Sequence, residues 1–242
     1  FGSIPSRVAA FMKEVNQELW KLGIYAKTEH NEAAPCQFEI APIFNSVNIA
    51  VDQNQLIMDV LRKTADKHGF ACLLHEKPFA GINGSGKHNN WSLATDTGKN
   101  LFNPGKEPHK NKLFLIFLLA VIKAVDENAV ILRLGASNAG NDHRLGAAEA
   151  PPAIISIFLG EQLEDILNQI ELGNLTSSKS ATSMTIGVST IPSIKKDVTD
   201  RNRTSPFAFT GNKFEFRMVP SSDSIACPNY ILNTIVAESL MQ

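Results

Sequence analysis

The chain has 242 residues, with 23 basic against 24 acidic side chains and a net charge of −1. That balance gives no electrostatic case for nucleic acid or an anionic membrane as partner, and the length allows a substantial core in one large domain or two. Three scattered cysteines (Cys36, Cys72, Cys227), odd in number and without CxxC spacing, argue against a disulfide framework or thiolate zinc site and for a reducing, cytoplasmic setting.

Apolar residues at Val8, Phe11, Met12, Val15, Leu19 and Trp20 predict a helix over Ser6–Leu22, with Pro5 at its start and Gly23 after its end. Ile24–Thr28 reads as a short strand. A turn around Pro35 follows, then Gln37–Ala41 alternates strictly, placing Glu39 with Gln37 and Phe38 with Ile40 on the core side. A second helix is predicted over Gln53–Lys67, stopped by Gly69, and a strand over Phe70–His75.

Pro78–Ser92 (PFAGINGSGKHNNWS) carries Gly81, Gly84 and Gly86 within six residues, so the backbone can bend sharply and approach a ligand. The pattern is neither the Walker loop nor the dinucleotide fingerprint. It runs into an alternating segment with His88, Asn90 and Ser92 on one face and Asn89 and Trp91 on the other. A surface histidine on a glycine-rich hairpin would look the same as a metal ligand beside phosphate contacts.

Lys112–Asn128 is predicted as a strongly apolar, central helix; its ten-residue apolar run, Leu113–Ile122, is too short to span a bilayer. Arg133–Arg144 reads as a small-residue loop, and Glu149-Ala150-Pro151-Pro152 stops regular structure. Ile154–Leu172 mixes a strand or short helix with an acidic helix over Gln162–Leu172. Leu175–Thr190, rich in Ser and Thr, receives no assignment. After DRNRTSPF, Asn212–Met218 alternates, with Lys213, Glu215 and Arg217 on one face and Phe214, Phe216 and Met218 on the other; a last helix starts near Pro228. No repeat, linker or composition break divides the chain, so a single α+β unit is expected. The chain opens on Phe1 and closes at Gln242 inside a helical run, which reads as a fragment of a longer protein.

Glu32, Glu39, His88 and Glu215 together offer carboxylates and an imidazole without thiolate, a donor set suited to Mg²⁺ or Mn²⁺ rather than structural zinc. Each alone is also what a solvated strand face carries. Arg217 is either an exposed neighbour pair with Glu215, adding little stability, or a guanidinium fork for a carboxylate. Arg201 and Arg203 are either solvated charges or stabilisers of a transferring phosphoryl group.

Four blocks in order, HNEAAPCQFEIAP (30–42), PFAGINGSGKHNNWS (78–92), NDHRLGAAEAPP (141–152) and DRNRTSPFAFTGNKFEFR (200–217), give the chain a resemblance to the glutamine synthetase family, most closely its long-subunit type III class. The resemblance covers nearly the whole chain. It implies a curved antiparallel sheet forming the active-site funnel, backed by helices. It also implies ATP-dependent ligation of ammonia to glutamate through γ-glutamyl phosphate, with two divalent ions, Mg²⁺ or Mn²⁺.

Residue by residue, Glu32 and Glu39 match carboxylates on the first metal, and Glu32 lies near the ammonium. His88 and Glu215 match ligands of the second, with His88 also beside substrate. Asn83 and Gly84 match the loop at substrate glutamate, and Arg144 and Arg217 match the arginines on its carboxylates. Glu149 matches the flap glutamate that helps deprotonate ammonium, and Arg203 the arginine on the transferred phosphate. Lys213, Asn90 and Ser92 match nucleotide contacts. The resemblance further implies a homo-oligomer of two stacked hexameric rings and a cytoplasmic enzyme, with no nucleic-acid or membrane partner.

Departures are also legible. Ala208 stands where many members carry a further arginine, and the flap between Arg144 and Glu149 is one residue shorter than in the bacterial type I pattern. The family's N-terminal β-grasp domain, the strand with its Glu-x-Glu ligands and the C-terminal part are not in the sequence, and Glu14 and Glu18 on the first helix do not replace those ligands. The chain as given is therefore expected to be inactive alone. A related glutamate–amine ligase, a guanidino kinase and a non-catalytic homologue are the alternatives.

Overall fold

The structure, a computed structural model, describes residues 2–178 and 205–242, with the backbone of 183–184 and 194–195. In chain order the helices are α1 Ser6–Lys21, α2 Val47–Lys67, α3 Lys112–Glu127, α4 Ala129–Leu134, α5 Ala139–Arg144, α6 Glu161–Glu171 and α7 Ala226–Met241. The strands are β1 Ala26–Asn31, β2 Phe38–Pro42, β3 Gly86–Trp91, β4 Ile157–Phe158, β5 Ser183–Met184, β6 Ile194–Lys195, β7 Phe207–Phe209 and β8 Phe214–Pro220. The fold is α+β. The chain divides into two units, one of residues 1–87, 136–150 and 219–230, the other of 88–135, 151–218 and 231–242.

In the first unit, α1 buries Met12, Val15 and Leu19, the stripe its periodicity predicts, and Gly23 takes a left-handed φ of 71° just past its end. β1 begins later than the expected Ile24–Thr28. Ile24 is spent on the core instead, packed with Val15, Leu19 and Ile57, against which Ile40 and Phe11 also lie. β1 and β2 form an antiparallel hairpin in which His30 stands opposite Glu39 and Asn31 opposite Phe38. α2 starts six residues before Gln53, after Ser46, whose backbone N–H donates to Asn45 Oδ1. Its first turn leaves Val47 and Ile49 exposed, so no apolar period announces it. The strand expected over Phe70–His75 is absent: the segment joins no ladder and is tied by side chains. Phe70 meets Phe11 edge-on at 5.7 Å under the Arg7 guanidinium, and the Leu74 carbonyl accepts from Ser221 Oγ at 2.7 Å.

In the second unit a four-stranded sheet runs β3-β8-β7-β4. β7 and β8 are antiparallel but β4 and β7 are parallel, so the sheet is mixed rather than wholly antiparallel as expected. Its apolar side is a phenylalanine cluster: Phe214 stacks on Phe207 at 4.9 Å and meets Phe102 and Phe209 edge-on at 5.2 and 5.3 Å. α3, whose N-cap Asn111 side chain accepts from Phe114 N, buries Phe114, Leu118, Val121 and Val125. It is not buried all round, because Ile116 and Leu119 are exposed among the described residues. The loop expected over 133–144 is instead the end of α4, in this unit, and all of α5, in the first unit, capped by Asn138 Oδ1 accepting from Gly140 N at 2.8 Å. α6 and α7 fall where the sequence places them, Pro228 sitting in the first turn of α7, where its missing N–H costs nothing. Among the described residues no helix is long and apolar enough to cross a membrane.

Candidate functional site

Each unit carries one cluster of the residues singled out above. In the first unit the hairpin register builds it. His30 and Glu39 are cross-strand partners, and Glu32, two residues beyond His30, falls on the same face. The Glu32 N–H donates to Gln37 O at 2.8 Å, continuing the pairing past the ladder. His30 Nδ1 lies 3.8 Å from Glu32 Oε1, and His30 Nε2 lies 3.8 Å from Glu39 Oε2. One ligand atom from each of the three residues lies within 4.8 Å of the others, a set able to surround a cation.

The glycine turn belongs to the same unit and is tied to the hairpin. Gln37 Nε2 donates to Gly84 O at 2.9 Å and to Ser85 Oγ at 3.0 Å. Arg144, only 3% exposed, lies behind the turn with Nη1 donating to Asn141 Oδ1 at 3.0 Å. A Cβ at Gly84 would overlap the Glu76 backbone carbonyl, so that glycine is required by close approach, whereas one at Gly86 would meet the end of the Arg144 side chain, which would have to shift. Glu76 is itself a buried carboxylate that accepts from Ser222 N at 2.8 Å and Ser222 Oγ at 2.5 Å. Lys87, at the far end of the turn, donates to Asn54 Oδ1 at 3.1 Å and to the Asp223 carbonyl.

In the second unit, His88 Nδ1 lies 3.3 Å from Glu215 Oε1, and Arg217 Nε donates to Glu215 Oε2 at 2.7 Å. Arg217 is not the exposed partner one reading allowed: its side chain is 4% exposed and that of Glu215 16%. Burial pushes the Glu215 carboxyl up, but the hydrogen bond and charge of His88, then those of Arg217, outweigh it and hold the group at about 2. Glu215 is thus a fixed anion beside an imidazole. Ala208 pairs with Glu215 across β7 and β8 and is fully buried, so the extra arginine of the family pattern is replaced by a packed methyl group.

Other site residues are placed individually. Asn83 is half-buried, Asn90 and Ser92 are exposed, and Lys213 is half-buried where the β7–β8 turn closes through Thr210 N to Lys213 O at 2.9 Å. Glu149 is exposed and takes a left-handed φ of 58°, a strained conformation for a glutamate. Arg201 and Arg203, with most of the 175–190 stretch, lie outside the described residues.

Residues 4–139 match the family model described as "Glutamine synthetase, catalytic domain". The chain belongs to the glutamine synthetase catalytic-domain family. It is 55% identical to the type-3 glutamine synthetase of Dictyostelium discoideum over 240 residues, covering 99% of this chain and 33% of that protein. It is 61% identical to a glutamine synthetase of Butyrivibrio fibrisolvens over 215 residues, covering 89% of this chain and 31% of that one. The chain thus spans about a third of the length of the curated relatives it matches. A solved structure of GmaS without ligand shares the fold at a TM-score of 0.68 with 18% identity, covering 97% of this chain and 45% of that one.

Against the glutamine synthetase motifs, reading the sequence missed His30, which opens the first block but was not singled out as a ligand. The signal was present: His30-x-Glu32 places both side chains on one strand face. Gln37, Glu76 and Lys87 were missed for another reason, since their partners become visible only once the glycine turn is folded.

Proposed function

We propose that the complete protein joins ammonia to L-glutamate to give L-glutamine, driven by ATP. A γ-carboxylate oxygen of glutamate attacks the γ-phosphorus of ATP, the bond to the ADP oxygen breaks, and γ-glutamyl phosphate forms. Ammonia then attacks the acyl carbon and the C–O bond breaks, releasing phosphate. The observation that carries this reading is identity of 55–61% over nearly the whole chain with proteins named glutamine synthetase.

In this reading Glu32 and Glu39 hold one divalent ion, Mg²⁺ or Mn²⁺, and His88 and Glu215 hold a second; the donor sets fit such ions, being carboxylate and imidazole without thiolate. The bound ions supply charge neutralisation at the phosphates. Arg217 and Arg144 orient the substrate carboxylates, with Asn83 and Gly84 contributing the turn that lies against the substrate. Asn90, Ser92 and Lys213 contact nucleotide, and Arg203 stabilises charge on the transferring phosphoryl group. Glu149 accepts a proton from the attacking ammonium, and Glu32 holds ammonium near the acyl carbon. Closure around the acyl phosphate excludes water, which would hydrolyse it. The protein works as a homo-oligomer in the cytoplasm and takes no nucleic-acid or membrane partner.

The test is product analysis with the complete protein, glutamate and ATP, with ammonia, methylamine or no amine added. Glutamine, ADP and phosphate in equal amounts with ammonia support the proposal. Turnover with methylamine in preference to ammonia points to a different glutamate–amine ligase, and none with any amine points to a non-catalytic homologue.

A further inference from the structure

We propose that the Glu76 carboxylate, acting through Ser222 and Asp223, clasps the Gly84–Gly86 turn in one geometry, which makes Glu76 a positioning residue for substrate glutamate. The inference rests on the proposed reaction, in which Asn83, Gly84 and Arg144 meet that substrate, and extends it to a buried group that has no part in the reaction itself. Glu76 is 1% exposed. A buried carboxylate costs more than a hydrocarbon of its size unless hydrogen bonds hold it, and a leucine would fill the place without that cost. A polar group kept there in a satisfied network fixes one arrangement of the segments it joins.

The contacts close a ring around the turn. At its near end the Ser85 N–H donates to the Glu76 carbonyl oxygen at 2.8 Å, and a Cβ on Gly84 would overlap that same oxygen. The Glu76 side chain leads the other way: Oε1 accepts from Ser222 N at 2.8 Å and from Ser222 Oγ at 2.5 Å. One peptide further on, the Asp223 carbonyl accepts from Lys87 Nζ, at the far end of the turn. Lys87 Nζ is set in addition by Asn54 Oδ1 at 3.1 Å. The backbone of Glu76 thus holds one end of the turn, and its side chain holds the other through Ser222 and Asp223.

The same clasp reaches the arginine assigned to the substrate. Asn138 Nδ2 donates to both Asp223 carboxylate oxygens, at 3.1 and 3.2 Å, while Asn138 Oδ1 caps α5, the helix that ends in Arg144. Glu76 Oε2 lies against that helix as well, since a Cβ on Gly140 would stand 2.5 Å from it. The turn bearing Asn83 and Gly84 and the helix bearing Arg144 therefore share Glu76 and Asp223 as supports. Substrate groups are held in productive geometry only by residues whose own positions are locked, so loosening Glu76 displaces all three proposed glutamate contacts.

The experiment uses the complete protein and reads KM for glutamate and for ATP, with amide hydrogen exchange over residues 82–87 as a second readout. Glu76→Leu keeps the bulk and removes the acceptor. Its KM for glutamate should rise about 10–100-fold, its KM for ATP should change less than about 3-fold, and the turn amides should exchange about 10-fold faster or more. Glu76→Gln keeps an oxygen that accepts from Ser222 and should stay within about 3-fold of wild type in every reading. Should the leucine variant fail to fold, Ser222→Ala removes the hydroxyl but keeps the N–H, and should raise KM for glutamate about 3–10-fold with faster exchange over the same residues. A KM for glutamate within about 3-fold of wild type in both Glu76→Leu and Ser222→Ala leaves Glu76 a part of the core only and overturns the proposal. An equal rise in both KM values, or a glutamine variant as impaired as the leucine one, overturns it too. A wild-type protein that forms no glutamine overturns the proposed reaction instead, and the exchange readout then decides the clasp by itself: unchanged exchange in Glu76→Leu overturns it.

Discussion

Replacing Arg217 by methionine separates a buried ion pair from a solvated one. The guanidinium is 4% exposed and its Nε donates to Glu215 Oε2 at 2.7 Å. An exposed neighbour pair would be worth about 0–1 kcal/mol. Removing one partner of a buried pair leaves the other charge uncompensated and costs about 3–5 kcal/mol. Glu215 retains His88 at 3.3 Å. The lower end of that range, about 3 kcal/mol, is therefore the expected loss. Glu215→Gln should cost less, because its amide oxygen still accepts from Arg217. The double variant should fall short of the sum by about 2 kcal/mol. Urea unfolding of the chelator-treated protein at neutral pH measures all three. A loss below about 1 kcal/mol for Arg217→Met, with the two substitutions additive, would refute the buried pairing.

Phe214→Ala removes a fully buried ring that contacts three other phenylalanines, and thermal or urea unfolding should show a loss of about 3–5 kcal/mol; under 1 contradicts the aromatic core. Gly84→Ala places a Cβ into the Glu76 backbone carbonyl and should cost about 1–3 kcal/mol, whereas the same change at Gly2, which meets nothing closer than 3.7 Å, should be near neutral by the same assay. Burial pushes the Lys87 ammonium down to about 8, with Asp223 and Glu76 opposing the shift only in part. The unfolded chain therefore binds the extra proton between about 8 and 10.5, and stability should rise with pH across that window. The difference between wild type and Lys87→Met, followed by urea unfolding from pH 7 to 10, should carry that slope; a flat difference contradicts the buried ammonium.

What was legible in the sequence follows the range of the forces involved. α1 announces itself through apolar period and punctuation and α3 through an unbroken apolar run, which are local signals, whereas α7 shows little period and is signalled by Pro228 near its start. The start of α2 hid because its first turn is exposed, and Phe70–His75 looked like a strand because apolar content does not reveal whether a partner edge exists. The small residues of 133–144 read as a loop, since short helices held by a capping asparagine leave almost no periodic signal. Alternation in Asn212–Met218 correctly set Phe214, Phe216 and Met218 into the core but implied a wet opposite face. Arg217 is buried there because β7 and the neighbouring Ser205 backbone cover it, a tertiary effect outside the strand's own sequence. Glu39, His88, Glu215 and Arg217 were recognisable from their blocks, whereas the contact of His88 with Glu215 joins strands far apart in the chain and no spacing encodes it.

Glutamate carrying heavy oxygen in its γ-carboxylate tests the acyl-phosphate route most directly. The complete protein, given this substrate with ATP and ammonia, should release phosphate containing one heavy oxygen for each glutamine formed, because the oxygen that attacks phosphorus leaves with it. Phosphate without label, alongside glutamine formation, would contradict the route through γ-glutamyl phosphate.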